Sequence, residues 1–242
     1  TLFRSANQEK RIDQGIASGQ LNKRETRRLE KEQNVINHAE DTHVFYDITF
    51  QPIVEAIKDK VPSVKHWIVL TDAAHKPQTT MNVRTYEEYI GGQSTDVVWG
   101  DFPEDTACGL CYTSGTTGDP KGVLYSHRSN ILHTMIGMQK DAIGIGAADV
   151  TLPVVPMFHA NAWGLAFSGP ATGSKLVLPG AKMDGESIYE LLDNEKVTFT
   201  AAVPTVWLML LQYLESTNKK LPHLKRVVIG GSAVPERILR AF

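Results

Sequence analysis

Apolar residues recur along this chain with two periodicities, and from Thr42 onward short apolar runs alternate with helical stretches. The strand-like runs are rich in consecutive apolar or β-branched residues, and they cover 67–72, 106–112, 151–155, 175–178, 197–201 and 226–229. The helical stretches are longer, and they cover 50–60, 126–142, 184–194 and 204–216, with a turn at 86–89 and a helix opening at Pro235. This alternation predicts an α/β domain with a largely parallel sheet.

The first 41 residues follow a different pattern. Residues 1–41 hold 8 Lys+Arg and 7 Asp+Glu, about twice the charge density of the remainder. A polar helix is predicted over 6–16, and Ser18–Gly19 breaks it. A second charged helix begins at the capping-box-like pair Asn22 and Glu25. The sequence therefore predicts two parts, a charged helical segment at 1–41 and an α/β part at 42–242.

The charged segment has two interpretations. Basic residues cluster in its second helix, which is typical of a basic binding arm: Lys23, Arg24, Arg27 and Arg28. Acidic residues are interspersed with them, which favours a solvated helix face: Glu25, Glu30 and Glu32. The second interpretation is favoured, although the arm remains an alternative.

Composition and charge narrow the class of protein. The chain has 42% hydrophobic and 21% charged residues and a net charge of −2, so it is predicted to be globular, with no nucleic-acid partner. No apolar run approaches the roughly 18 residues of a membrane-spanning helix, so no transmembrane segment is expected. Two cysteines fit a reducing compartment, and we expect a cytoplasmic protein. Cys108 and Cys111 are three apart in a predicted strand and face opposite sides, which disfavours a metal or redox role.

The clearest candidate for chemistry is the string YTSGTTGDPKG at 112–122. Its glycines allow backbone N–H groups to turn toward an anion, its hydroxyls can donate to phosphate or bind Mg²⁺, and Lys121 adds a positive charge. The string is not a Walker A loop, because the sixth position from Gly115 is Pro120 and Lys121 is followed by Gly122.

Two further motifs follow strand-like runs. In PMFHANAWG at 156–164, an imidazole lies among aromatic and amide side chains, which suits a pocket for a carboxylate or acyl-phosphate oxygen. A lone His is more often structural, so both roles stay open for His159. Gly230–Ala233 either forms an ordinary strand-to-helix turn or allows the backbone to approach a flat ring closely.

The first motif closely resembles the phosphate loop of the adenylate-forming superfamily, which includes acyl-CoA synthetases, luciferases and peptide-synthetase adenylation domains. The resemblance extends over about 42–242 and implies a partial N-terminal domain of that family, an α/β fold with a largely parallel sheet. It also implies that Thr113 is the position associated with Mg²⁺ and that Lys121 closes the motif as a catalytic residue. The positions implied to bind the ATP phosphates are Thr113, Ser114, Gly115, Thr116, Thr117 and Gly118.

The resemblance assigns the other two motifs as well. His159 is implied to lie beside the acyl-adenylate as a catalytic residue, and Asn161 and Trp163 are implied to line the acyl pocket with it. The adenine-binding positions are implied to be Gly230, Gly231, Ser232 and Ala233. The form with His, Asn and Trp is most similar to medium- or long-chain fatty-acyl-CoA synthetases.

The function implied by this resemblance is AMP-forming ligation of a fatty acid to coenzyme A. ATP, Mg²⁺ and coenzyme A are the implied cofactors and co-substrates, the partners are these small molecules and the fatty acid, and the intact parent is compatible with a homodimer. Two alternatives remain: a ligase for an aryl or short-chain acid, and a non-catalytic binding module with a helical arm.

The length of the chain adds one more expectation. The superfamily's acidic Mg²⁺-binding motif, its ribose-binding Asp and its C-terminal lid would follow Phe242, and its opening subdomain would precede Thr42. We therefore expect 42–242 to be the central part of an AMP-binding domain that is truncated at both ends and inactive alone. Residues 1–41 match nothing in this superfamily, so we expect them to be foreign or artefactual.

Overall fold

A computed structural model describes residues 33–113, 121–180 and 182–241 of the chain. The described residues divide into two compact units. The first comprises 33–102, 112–113 and 121–122, and the second comprises 103–111 together with the described residues from 123 onward.

The first unit is built on three parallel strands in the order β1-β2-β3. They are β1 (His43–Asp47), β2 (His66–Leu70) and β3 (Val83–Thr85). The α-helices of this unit include α1 (Gln51–Ile57) and α2 (Tyr86–Ile90), and residues 33–39 are also helical. Its core contains Tyr46, Phe50, Ile53, Val54, Ile57, Val69 and Val83.

The helical residues before β1 pack onto this core. Ile36 lies against the buried cluster of the first unit, and Asn37 Nδ2 donates to the Lys60 carbonyl at 3.0 Å. The preceding part of the charged segment, residues 1–32, lies outside the described residues, as do both of its expected helix starts. For residues 1–32 the foreign origin stays a prediction, whereas residues 33–41 pack as part of the first unit.

The second unit contains a four-stranded parallel sheet in the order β7-β6-β8-β9. These strands are β6 (Val150–Pro153), β7 (Lys175–Leu176), β8 (Phe199–Ala202) and β9 (Arg226–Ile229). The helices are α3 (His127–Gly137), α4 (Leu165–Thr172), α5 (Gly185–Asn194), α6 (Pro204–Thr217) and α7 (Glu236–Ala241). A separate two-stranded sheet pairs β4 (Ala107–Thr113) with β5 (Lys121–Ser126).

Local chemistry explains where several helices begin. Ser126 caps α3 by accepting from Ser129 N at 3.1 Å, and Asp184 caps α5 by accepting from Ser187 N at 2.9 Å. Pro204 occupies the first position of α6, where its missing N–H costs no helical hydrogen bond. No helix among the described residues is both long and apolar enough to cross a bilayer.

The α/β fold with parallel strands is confirmed, although several element boundaries differ from those predicted. The helix expected over 126–142 ends at Gly137, because Gln139 N bonds to the Ile136 carbonyl only three residues back and tightens the last turn. The strand expected over 151–155 ends at Pro153, because Val154 N and Val155 N both turn to the Ala201 carbonyl. The sequence pattern did not predict β1, β3, β5 or α4.

We expect the buried core of the second unit to be sensitive to truncation. Leu152 in β6 is fully buried, so Leu152→Ala should lower the free energy of unfolding by about 2–5 kcal/mol through lost burial and a new cavity. Leu239 in α7 is 63% exposed, so Leu239→Ala is a matched control that should cost less than about 0.5 kcal/mol. Urea unfolding followed by tryptophan fluorescence measures both, and equal losses would contradict this core assignment.

Candidate active site

Three loops of the second unit begin at the same edge of its sheet. Parallel pairing aligns Pro153 of β6 with Ala201 of β8, and it aligns Ala202 with Ile229 of β9. The segment before His159, the loop at Val203 and the Gly230–Ala233 motif therefore follow neighbouring strand ends. Open α/β sheets bind ligands at the carboxyl ends of their strands.

The residues after His159 form a turn of unusual handedness. Ala160, Asn161, Ala162 and Trp163 all have positive φ, between 45° and 56°, and Gly164 follows at 80°. We call Ala160–Gly164 the left-handed turn. Gly164 N donates to the carbonyls of Ala160 at 3.0 Å and Asn161 at 3.1 Å, which closes the turn. Each non-glycine residue in this conformation costs about 1–2 kcal/mol, so the surrounding structure has to hold it.

The packing beneath the turn supplies that restraint. Ala162 is completely buried, and a methyl group added at Gly164 would lie 2.5 Å from His133 Cε1 of α3. The Cys111 thiol of β4 donates to Asn161 Oδ1 at 3.7 Å. Sequence reasoning missed His133 and gave Cys111 no role in this contact. The feature of the sequence that could have drawn attention to Cys111 is its place on the strand that leads to Thr113, two residues before it.

The left-handed turn brings two of the predicted motifs together. A methyl group added at Gly230 would lie 3.0 Å from Trp163 Cη2, so the indole ring packs directly on the Gly230 backbone. Gly231 has φ of 85°, and a methyl group there would lie 3.1 Å from Val203 Cγ1. The motif does allow a flat ring to approach its backbone, and in this structure that ring is Trp163.

The other predicted residues of these motifs have different exposures. His159 precedes the left-handed turn and is exposed, while Asn161 and Trp163 are half-buried. Ser232 and Ala233 are exposed beyond Gly231. The imidazole of His159 is therefore exposed just before the turn, and the turn holds the Trp163 indole against Gly230.

An ion pair anchors the strand that leads to Gly230. Arg226 Nη2 donates to Asp149 Oδ2 at 2.6 Å, and Arg226 Nη1 donates to the carbonyls of Ile143 at 2.8 Å and Gly144 at 2.7 Å. Burial raises the pKa of Asp149, but hydrogen bonds from Arg226, Gly146 N and the Thr198 hydroxyl outweigh it and hold that pKa below its ordinary value of 3.8. The start of β9 is thus fixed by charged contacts.

The phosphate-loop motif is only partly covered by the described residues. The Thr113 backbone ends β4 and Lys121 begins β5, where its side chain is exposed. The remaining predicted phosphate-binding positions lie outside the described residues: Ser114, Gly115, Thr116, Thr117 and Gly118. Within the described part of the chain, no three His, Cys, Asp or Glu side chains are grouped so that they could hold a metal ion. The binding roles of this motif remain predictions.

The chain belongs to the AMP-binding enzyme family, whose model matches residues 26–242. The match begins within the charged segment, so the expectation that all of 1–41 is unrelated to the family is wrong for residues 26–41. It is similar to a 3-methylmercaptopropionyl-CoA ligase of Ruegeria lacuscaerulensis, with 45% identity over 86% of this chain and 39% of the relative. It is also 46% identical to a long-chain-fatty-acid–CoA ligase of Thermus thermophilus, over 86% of this chain and 37% of the relative. The chain therefore spans less than two-fifths of the length of these relatives.

A solved structure shares the fold. An anthranilate CoA ligase in complex with anthranoyl-AMP superposes with a TM-score of 0.78 over 88% of this chain and 40% of that one, at 22% identity. The parallel sheets and the family match together identify the α/β fold as that of the N-terminal domain of adenylate-forming enzymes.

We expect Gly230→Ala to be destabilising because the added methyl group would press on Trp163. The added methyl group at 3.0 Å from the indole should cost about 1–3 kcal/mol of unfolding free energy. In a Trp163→Ala background the same substitution should cost almost nothing, since the opposing ring is gone. Urea unfolding of both single variants and the double variant gives the coupling energy, and strictly additive losses would contradict the contact.

The handedness of the turn predicts an unusual response to glycine. Ala160 has φ of 45°, so Ala160→Gly should raise the free energy of unfolding by about 1 kcal/mol by relieving left-handed strain. Ala171 lies in the right-handed helix α4, where the same substitution should cost about 0.5–1 kcal/mol. Opposite shifts of the urea midpoint are expected, and a loss at both positions would argue against the left-handed turn.

Proposed function

We propose that the protein carrying this chain activates a medium- or long-chain fatty acid with ATP and transfers the acyl group to coenzyme A. The packing of Trp163 on Gly230 carries this proposal, because it joins the motif assigned to the acyl group with the motif assigned to adenine. Membership of the AMP-binding enzyme family and 46% identity to a long-chain-fatty-acid–CoA ligase support it.

The proposed reaction has two steps. A carboxylate oxygen of the acid forms a bond to the α-phosphorus of ATP, and the bond to the bridging oxygen breaks, which releases pyrophosphate and leaves an acyl-adenylate. The thiol sulfur of coenzyme A then bonds to the acyl carbon, AMP leaves with its oxygen, and the thiol proton passes to solvent. Developing negative charge in such steps is stabilised by positioned donors and cations.

We assign the chain's own residues to these steps by motif. Lys121 and the loop at 113–118 bind the phosphates, Thr113 is the Mg²⁺ position, and Gly230–Ala233 faces adenine. The exposed imidazole of His159 lies at the start of the left-handed turn and donates to an oxygen of the acid or of its adenylate. Asn161 and Trp163 line the acyl side. Mg²⁺ dependence, a cytoplasmic location and a homodimer of the parent belong to the same proposal.

A ligase for a short acid is a second candidate. The 45% identity to a 3-methylmercaptopropionyl-CoA ligase favours it as directly as the fatty-acid relative favours the first. Both candidates share the adenylation step and differ in the length of the acyl group. The aryl alternative gains no residue-level support, because the anthranilate CoA ligase is similar in fold alone at 22% identity.

Binding of ATP to this chain tests the nucleotide part of the proposal. Lys121→Ala removes a charged donor and should raise the dissociation constant for ATP about tenfold or more, the equivalent of one charge-assisted hydrogen bond. Lys225→Ala, an exposed lysine of the second unit, should leave it unchanged. Isothermal titration with ATP and Mg²⁺ measures both. Equal affinities of the two variants would remove Lys121 from the phosphate site.

The acid specificity is tested by ATP–pyrophosphate exchange in the protein that carries this chain. We expect exchange to depend on added acid and to be fastest with octanoate or palmitate, with 3-methylmercaptopropionate, acetate and benzoate as comparison acids. His159→Ala should reduce acid-dependent exchange while leaving ATP binding intact. Fastest exchange with the short thioether acid would replace the first candidate with the second, and no exchange with any acid would refute both.

A further inference from the structure

Two histidines on neighbouring strands of the first unit stack on each other. His43 of β1 and His66 of β2 are partners in the parallel register, and their ring centroids lie 4.5 Å apart with 30° between the planes. The Tyr89 ring of α2 lies against both, at 5.8 Å from His43 and 5.9 Å from His66. We call these three rings the His43–His66 cluster.

Two fixed positive charges lie beside this cluster. Arg84 of β3 places its guanidinium carbon 5.7 Å from the centroid of the Tyr89 ring, and Lys65 directly precedes His66. A small cavity beside the rings is lined by Lys65, His66, Arg84 and Tyr89, with Asn82 supplying an amide. One surface thus carries a ring or a cation from each of four elements: β1, β2, β3 and α2.

The nearby carboxylates do not balance this charge. Glu88 of α2 is held by Lys76 Nζ at 2.7 Å and by Thr85 N at 2.8 Å. Glu87 on the same helix is exposed, and Asp41 lies two residues before His43, with its own pKa raised by burial. Desolvation lowers the pKa of His66 below 6.5, and the charged groups that lower it further are all basic: His43, Arg84 and Lys65.

We propose that the His43–His66 cluster binds a small tetrahedral dianion, a phosphate or sulfate group, and binds it more tightly as the imidazoles take up protons. Lysine, arginine and protonated histidine are all N–H donors that suit such an anion. The faces of the two imidazoles cover each other, and His43 Nδ1 already bonds with the Thr42 hydroxyl at 2.8 Å, so His43 Nε2 and the edge of the His66 ring are left to donate. This site lies on the first unit and does not depend on the proposed ligase function.

Proton uptake and anion binding are coupled at such a site. Two protonated imidazoles at 4.5 Å repel each other beside Arg84 and Lys65, and a bound dianion relieves that repulsion. Binding therefore favours the protonated imidazoles, and by reciprocity lower pH strengthens binding. Without the anion, the lowered pKa of His66 means that the first unit loses stability as the pH falls below 6.5.

The probe for the experiment is inorganic sulfate, because its charge stays constant over the pH range in which histidine titrates. Histidine ring resonances of the full chain are followed by NMR from pH 5.5 to 8 at constant ionic strength, with and without sulfate. We expect sulfate to raise the pKa of His66 and to bind at least about fivefold more tightly at pH 6 than at pH 8. His75 is the internal control, since its imidazole Nδ1 already lies 2.7 Å from the Asp72 carboxylate.

Substitutions separate this site from other anion sites. His66→Gln should abolish the pH dependence, and Lys65→Gln, an exposed change just outside β2, should weaken sulfate binding about threefold or more without disturbing the fold. His75→Gln and Lys121→Ala should leave it unchanged, so a failure of the phosphate-loop assignment does not affect this result. Equal sulfate responses of His75 and His66, or unchanged affinity in both His66→Gln and Lys65→Gln, would overturn the proposal.

Two further titrations identify the source of the anion. Inorganic phosphate and glycerol phosphate at pH 6 compare a free anion with a phosphate monoester, and binding of either one at His66 supports a phosphate site. Zn²⁺ is titrated in parallel because paired imidazoles also suit transition metals. Tighter binding of Zn²⁺ than of any anion at this cluster would overturn the anion assignment.

Discussion

Parallel pairing of β6, β8 and β9 is the constraint on which the candidate site depends. The register places Pro153, Ala202 and Ile229 near one edge, so the chain leaves three neighbouring strands at the same place. Hydrogen bonding fixes this alignment, and the Arg226–Asp149 ion pair anchors β9 at its opposite end. Residues that are far apart in sequence, such as Trp163 and Gly230, meet because of this alignment.

The left-handed turn adds a second constraint to that edge. A right-handed turn after His159 would be the lower-energy local choice, so the observed handedness is imposed by packing. Gly164 fits over the His133 ring only because it lacks a side chain, and Ala162 is enclosed completely. These contacts direct Trp163 toward Gly230 and leave His159 exposed, which is an arrangement that local preference alone would not produce.

The sequence correctly predicted the helices and strands whose formation depends on residues close together along the chain. Helix α5 follows the spacing of Ile188 and Leu192, both buried, and β9 follows its β-branched run. Strand β3 has only three residues, too few to show an alternation, and β5 was hidden in a motif interpreted for its chemistry. The left-handed turn was unpredictable, because its conformation depends on His133, which is remote in sequence.

The candidate site was predicted in its residues but not in its contacts. Resemblance placed His159, Trp163 and Gly230 in motifs, since motif positions are local in sequence. It did not predict that the indole would lie on Gly230 or that the Cys111 thiol would reach Asn161. Such contacts depend on how strands are ordered in a sheet, and spacing along the chain does not determine that order.

The contact between Trp163 and Gly230 also bears on how the two proposed ligands are recognised. Because the indole rests on the backbone of the segment assigned to adenine, the ring cannot move toward that segment, and the segment cannot move toward the ring. On this assignment, a shift of Trp163 to accommodate a different acid changes the space beside the nucleotide as well. Under the proposed function, recognition of the acid and of ATP would be coupled through this aromatic ring, and the left-handed turn, held by His133 and Cys111, determines where that ring lies.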